Sequence, residues 1–294
     1  TVRSSVLHLV SGAFSERWHA IGASLGRKAD RLDVPWGRPI DPDLVRRALR
    51  RKRYEAVTVV HNETSTGVIN PLEEIARAVR EEGDALVLVD TVSSLGGARV
   101  ETDAWGLDLV LAGAHKALAV PPGLVPFAAS ERAEERARRV PHRGWYTDLL
   151  RYLEAHRAGG TVTTPAVSVA YALDRQLAKI AEEGMEARWA RHLRLRDRVS
   201  EWIEGEGGEL GFAFASEALA SDPEARSPTV SCLRPPPGLP APELVARLAS
   251  RGFTLGGGYG AWKATTFRIG HMGEVRAEDL DALLGAIEDA VRTP

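Results

Sequence analysis

The chain has 294 residues, 44% of them hydrophobic and 27% charged, a balance that predicts an ordinary soluble globule with a substantial core. Its formal net charge is −2 with Lys and Arg scattered, so nothing favours nucleic acid or an acidic membrane surface as a partner. The single cysteine, Cys232, excludes an internal disulfide and a cysteine-based zinc site, and it suits a reducing compartment. No apolar run reaches membrane-spanning length, and the opening TVRSS is not a signal peptide. That opening lacks Met and runs at once into a strand-like segment, so the sequence reads as a chain without its natural beginning.

In chain order, residues 6–10 read as a strand, 16–27 as a helix and 31–34 as a strand. Residues 41–50 form a helix opened by Asp-Pro-Asp, 56–60 a strand, and 71–82 a helix that starts on Pro71 and ends at Gly83. The runs 85–89, 107–112 and 124–128 are further apolar strands. Apolar runs without polar alternation, interleaved with helices, predict a mostly parallel sheet covered on both faces. Residues 156–165 are a Gly- and Thr-rich loop, followed by a long amphipathic helix over 167–204 interrupted at Gly184. Beyond it come strands near Phe212 and over 229–233, 253–255 and 265–269, with helices over 241–250 and 277–292. A Pro-Pro-Pro-Gly turn at 235–238 separates two of these elements. The fold expected is α/β: a large domain over 1–165, a connecting helix over 166–205 and a smaller α+β domain over 206–294.

Three constellations carry the chemistry. The strand at 85–89 ends on Asp90, and the run from Asp108 delivers His115 and Lys116 into a segment rich in small residues. A buried carboxylate and a buried lysine at the carboxyl ends of two strands are costly unless something uses both. Pyridoxal phosphate does, taking the lysine as a Schiff base and the carboxylate as partner of its pyridinium nitrogen. Val92 would then pack an apolar surface on the ring. The residues alone also admit a buried Asp–Lys ion pair, or two strand-end residues in solvent. Secondly, His-Asn-Glu-Thr-Ser-Thr-Gly at 61–67 follows a strand and can bring Ser65 against a ligand oxygen, or can simply lead into the helix at Pro71. Thirdly, Arg268 lies inside the apolar Phe-Arg-Ile-Gly at 267–270, placed either to bind a substrate carboxylate or to snorkel from a strand edge.

Together the segment around Asp90, the Ser-Thr-Gly at 65–67, the lysine segment running to Pro122-Gly123 and the Phe-Arg-Ile-Gly resemble class V pyridoxal-phosphate aminotransferases, the alanine–glyoxylate, serine–pyruvate and serine–glyoxylate group. The resemblance covers essentially the whole chain in order. It implies a fold type I transferase in which Lys116 is the Schiff-base lysine and Asp90 the pyridinium partner. Val92 would lie on one ring face and Phe14 on the other, where the family usually has an aromatic residue. Ser65 would sit near the phenolic oxygen, His115 precedes the lysine, and Arg268 would bind the α-carboxylate. Thr163 would serve the phosphate of the neighbouring subunit's cofactor, which makes a homodimer with shared active sites the expected state. The resemblance further implies amino-acid and 2-oxo-acid substrates, and the lack of a targeting sequence suggests the cytoplasm. It places a loop of the small domain, near the site entrance, at 256–260.

Two departures accompany it. Gly159-Gly160 stand where the family has a tyrosine, and no Gly/Ser-rich phosphate turn precedes the first strand. The competing expectations are a lyase or cysteine desulfurase of the same fold, which His115 encourages, and a catalytically inactive homologue or fragment. A desulfurase needs a cysteine on a mobile loop, whereas Cys232 reads as part of a buried strand.

Overall fold

The computed structural model describes residues 2–292. The first half alternates strand and helix: β1 (Ser5–Val10), α1 (Ala13–Ser24), β2 (Lys28–Asp33), α2 (Pro42–Arg51) and β3 (Ala56–Val60). A short ribbon of β4 (Asn62–Glu63) and β5 (Val68–Ile69) precedes α3 (Leu72–Glu82), β6 (Leu86–Asp90), β7 (Leu109–Leu111) and β8 (Phe127–Ala129). Six of these strands form one sheet in the order β2-β1-β3-β6-β7-β8, parallel throughout except for the β7–β8 pair.

Both faces of that sheet are apolar, as the uninterrupted hydrophobic runs require. In register, Leu7, Val57 and Val87 turn one way and pack with Val45, Leu49, Ile75 and Val79 of α2 and α3. Their neighbours Val6, Ala56 and Leu86 turn the other way, towards Trp18 of α1. The period of two on each strand thus fills two layers, and the chain is α/β as its pattern predicts.

The α-helices α4 (Glu131–Arg138) and α5 (Leu149–Arg157) lie where no element is expected from the sequence. Their residues are rich in Arg and Glu, and each starts on a side-chain cap: Ser130 accepts from the Ala133 amide at 3.1 Å and Asp148 from that of Leu150 at 3.1 Å. The long amphipathic stretch divides into α6 (Val167–Glu183) and α7 (Met185–Glu204) at Gly184, whose φ of 80° only glycine adopts without strain.

After α7 come α8 (Glu206–Glu209), β9 (Ala213–Phe214), α9 (Glu217–Ser221), β10 (Val230–Arg234), α10 (Ala241–Ser250), β11 (Gly256–Gly257), β12 (Phe267–Gly270) and α11 (Ala277–Arg292). The four strands make an antiparallel sheet in the order β11-β12-β10-β9. The strand expected at 253–255 forms just beyond it, as β11 at 256–257 beside Arg268. A second core joins α7, β10, β12, α10 and α11 through Val199, Trp202, Leu233, Leu244, Phe267 and Ile287.

Arg188 of α7 stitches the two cores. It is 1% exposed. Its guanidinium donates to the Gly96 carbonyl at 3.0 Å, the Ala117 carbonyl at 2.8 Å and the Gly273 carbonyl at 3.5 Å, and it pairs with Glu183 and Glu274.

Candidate active site

The chain reverses direction across the large sheet between β1 and β3: β2 lies outside β1, and β6 outside β3. At such a switch point the carboxyl ends of neighbouring strands splay apart and leave a crevice. A cavity of about 420 Å³ opens there, lined by Phe14 after β1, by Asn62 and Thr64 after β3, by Asp90, Val92 and Ser93 at the end of β6, and by His115 and Lys116 after β7. Parallel strands deliver all four groups of residues to the same edge.

Each polar group there is shaped by burial. The Asp90 carboxyl is pushed up to about 6, chiefly by loss of solvent and further by the charge of Glu63, while the Val92 amide and the charge of Lys116 oppose the rise. The Val92 amide donates to Asp90 Oδ1 at 2.8 Å. The Lys116 ammonium is held below its ordinary value by burial and by the nearby charge of Arg268, with Asp90 opposing. His115 is exposed at the rim, and Val92 is half-buried.

Phe14 sits on the first turn of α1, and that turn is anchored by a fully buried carboxylate. Glu63 accepts from the amides of Phe14 at 3.2 Å and Ser15 at 3.0 Å and from the Ser15 hydroxyl at 2.9 Å. A carboxylate at a helix N-terminus satisfies amides that have no partner within the helix and meets the positive end of its dipole. The Phe14 ring stacks on Tyr259 with centroids 5.2 Å apart. Arg17 bonds the Tyr259 hydroxyl, so the 256–260 segment lies directly against α1. Arg268 is half-buried on β12, with its guanidinium 5.6 Å from the centroid of the same tyrosine. It donates to the Gly257 carbonyl at 2.9 Å and to the Thr64 carbonyl at 3.3 Å, which brings it beside the cavity loop.

One expected residue stands elsewhere. Ser65 is fully buried and turned away from the cavity: its hydroxyl donates to Glu63 Oε1 at 2.6 Å and accepts from the Ala13 amide at 3.0 Å. Thr64 takes the cavity face instead. Residues 64–67 are a turn closed by the Thr66 and Gly67 amides on the Glu63 carbonyl at 3.1 and 3.0 Å, and within it Thr64 lines the cavity while Ser65 folds back onto Glu63. Thr163, expected at the neighbouring subunit's cofactor, is exposed on the loop between α5 and α6, outside this chain's own cavity; Thr161 donates its hydroxyl to the Thr163 carbonyl at 2.8 Å. Asn62, Thr64 and Ser93 are cavity residues that the sequence reading did not single out.

Cys232 lies on β10, 1% exposed, with its thiol pushed up to about 11 by burial. A buried protonated thiol on a paired strand is a poor nucleophile, and this disfavours the desulfurase alternative.

The sequence model of the family described as Aminotransferase class-V matches residues 5–212. An uncharacterised aminotransferase of Methanocaldococcus jannaschii is 39% identical over 291 residues, an alignment covering 98% of this chain and 73% of that protein. A serine–glyoxylate aminotransferase of Methylorubrum extorquens is 32% identical, with 95% of this chain and 69% of that protein covered. Among solved structures, an alanine–glyoxylate aminotransferase of Nostoc superposes with a TM-score of 0.89 at 32% identity, over 99% of this chain and 76% of that one. With a strand-end lysine and carboxylate facing one crevice, and with relatives similar along nearly its whole length, the chain belongs to the class-V aminotransferase family and is an enzyme of the transferase class.

Proposed function

We propose that the chain uses pyridoxal phosphate, bound at Lys116, to move the amino group of a small amino acid such as serine or alanine to a 2-oxo acid such as glyoxylate or pyruvate. The observation that carries this reading is the convergence of Phe14, Asp90, Val92 and Lys116 on one cavity. Their chemistry fits the cofactor: an amine for its aldehyde, a carboxyl for its ring nitrogen, and two apolar side chains for its faces. When bound, the cofactor supplies an electron-withdrawing ring that stabilises negative charge at the substrate's α-carbon.

The chain's own residues would do the rest. Asp90, desolvated and raised towards neutrality, keeps a proton shared with the ring nitrogen. Lys116, its ammonium disfavoured by burial and by Arg268, spends more of its time as the free amine that can bond a carbonyl and carry a proton to and from the α-carbon. Arg268 presents a planar donor pair to the substrate's α-carboxylate. The names of the relatives from Methylorubrum and Nostoc support serine or alanine as donor and glyoxylate as acceptor.

The same proposal covers a homodimer in the cytoplasm, with exposed Thr163 reaching the partner's cofactor phosphate. It also covers a large domain over 1–165 and a small one over 206–294, a division supported by the separate sheets and cores. Among the described residues no helix is long and apolar enough to cross a membrane.

Borohydride reduction in the presence of pyridoxal phosphate, followed by peptide mass mapping, tests the reading. A pyridoxyl adduct confined to the Lys116 peptide is expected; an adduct spread over surface lysines, or none, would overturn it.

A further inference from the structure

None of these roles uses Tyr259, yet its side chain meets three residues at the site. It follows β11 of the smaller sheet and reaches across to α1, which packs on the larger one. Its ring lies nearly parallel to that of Phe14, the planes 17° apart and the centroids 5.2 Å apart. With one face covered in this way, Phe14 has its other face and its edge to offer the cavity it lines. Arg17 binds to both rings: its guanidinium carbon is 5.4 Å from the Phe14 centroid and 5.9 Å from that of Tyr259, and it bonds the tyrosine hydroxyl. Arg268 also faces the tyrosine, with its guanidinium carbon 5.6 Å from the centroid. The half-buried ring thus bridges the aromatic residue assigned to the cofactor ring and the arginine assigned to the substrate's α-carboxylate.

The turn around Tyr259 is held by its backbone and its neighbours. The Trp262 amide donates to the Tyr259 carbonyl at 3.1 Å, and the Lys263 amide to the Gly260 carbonyl at 3.2 Å. A Cβ on Gly260 would come within 2.5 Å of the Trp36 ring, and one on Gly258 would overlap the Trp262 carbonyl. Trp36 in turn meets Trp262 edge-on, with centroids 5.7 Å apart. A turn packed this closely on both sides of the tyrosine does not depend on the tyrosine ring for its shape, which leaves that ring to serve the site.

We propose that Tyr259 is a positioning residue of this active site, its ring holding Phe14 against the cofactor and Arg268 in line for the substrate's α-carboxylate. This rests on the pyridoxal reading above. Phe14 and Arg268 come from distant parts of the chain and from different layers, and Tyr259 meets both. A stacked aromatic pair and a cation within about 6 Å of a ring centroid are each favourable, so the tyrosine opposes tilting of Phe14 and swinging of Arg268. It touches neither cofactor nor substrate itself and acts through these two residues.

Three variants test this. Tyr259→Leu and Tyr259→Gln remove the ring, whereas Tyr259→Phe keeps both ring contacts and loses only the bond to Arg17. For each, the Tm, the Kd for pyridoxal phosphate read by absorbance, and kcat and KM with L-serine or L-alanine as donor and glyoxylate as acceptor are measured. Without the ring, Kd and the donor KM should each rise by about 3- to 10-fold. Because Asp90 and Lys116 are untouched, kcat should stay within about threefold of wild type. Tyr259→Phe should restore both Kd and KM to near wild type. A lowered Tm with unchanged Kd and KM in Tyr259→Leu and Tyr259→Gln would make the residue structural and overturn the proposal. So would a loss in Tyr259→Phe as large as in the other two, or a fall in kcat at unchanged KM. A wild-type protein that binds no pyridoxal phosphate overturns the functional reading along with this one, whereas normal wild-type binding with insensitive variants overturns this one alone.

Discussion

Asp90 is the residue whose environment makes the sharpest demand. Its carboxyl is raised from 3.8 to about 6 by burial, so in the cofactor-free protein its neutral form is the one the fold prefers. The linkage sign follows: this contribution to stability is complete below pH 3.8 and is lost as pH rises through about 6. The loss amounts to about 3 kcal/mol when complete. Asp90→Asn should therefore remove that loss from the apoprotein while abolishing turnover. Comparing urea midpoints of the two apoproteins at about pH 4 and about pH 8 checks it, and a gap that does not change with pH would refute it. Arg268 differs in kind, because its role is to hold substrate. Arg268→Ala should raise KM for the amino donor by about 100-fold, the worth of a bidentate carboxylate pair, while the Kd for pyridoxal phosphate changes little. An unmoved KM would put the carboxylate site elsewhere.

At the scale of elements, the start of α1 decides where Phe14 stands, and Gly12 decides whether α1 can start there. A Cβ on Gly12 would lie 2.6 Å from both Glu63 Cγ and Ser65 Oγ. The need is for close approach, since its φ of 167° is ordinary extended backbone. Gly12→Ala should push the helix away from the Glu63 carboxylate, destabilise the fold by about 1–3 kcal/mol and weaken cofactor binding, because Phe14 moves with the helix. Denaturant unfolding together with a binding titration would show whether the two losses come together. The ribbon β4–β5 is the other element that matters. Two residues per strand are too few to leave a periodic signal, so Ser65 looks like the cavity residue in the sequence and Thr64 holds that place in the fold.

Across the whole molecule, burial of charged and titratable groups ties the layers together. Arg188→Met would strand the Gly96, Ala117 and Gly273 carbonyls and leave Glu183 with Arg191 alone, at a cost of about 3–5 kcal/mol. Arg188→Lys should not restore stability, since one ammonium cannot reach three carbonyls from different segments; a Tm close to wild type would show that the joint is dispensable. Four histidines add a global pH response. Burial lowers His8, His61 and His192 to about 4 and His271 to about 3. Their folded pKa values lie below the unfolded 6.5, so their contribution is present above pH 6.5 and is lost as pH falls towards 4. Each adds up to about 1.4 kcal/mol per pH unit in that window, which outweighs the opposite trend of Asp90. Melting should therefore move to lower temperature from about pH 6.5 downward, and a flat Tm between about pH 7 and 5 would contradict this origin.

What the sequence by itself determined is what lies in short-range pattern. Lys116 and Asp90 are legible because each closes an apolar run, and a run that apolar is a buried parallel strand whose carboxyl end faces a crevice. The alternation of strands and helices up to β8 is legible for the same reason. Tertiary structure alone decided the rest, wherever a residue's role depends on what meets it from elsewhere in the chain. Arg188 looks like one more arginine on an amphipathic helix until three carbonyls from distant segments surround it. Glu63 looks like a loop carboxylate until the first turn of α1 lands on it. Tyr259 looks like an aromatic residue in a glycine-rich loop until Phe14, Arg17 and Arg268 are seen to meet it. Burial and partnering are properties of the packed chain, and local spacing carries no record of them.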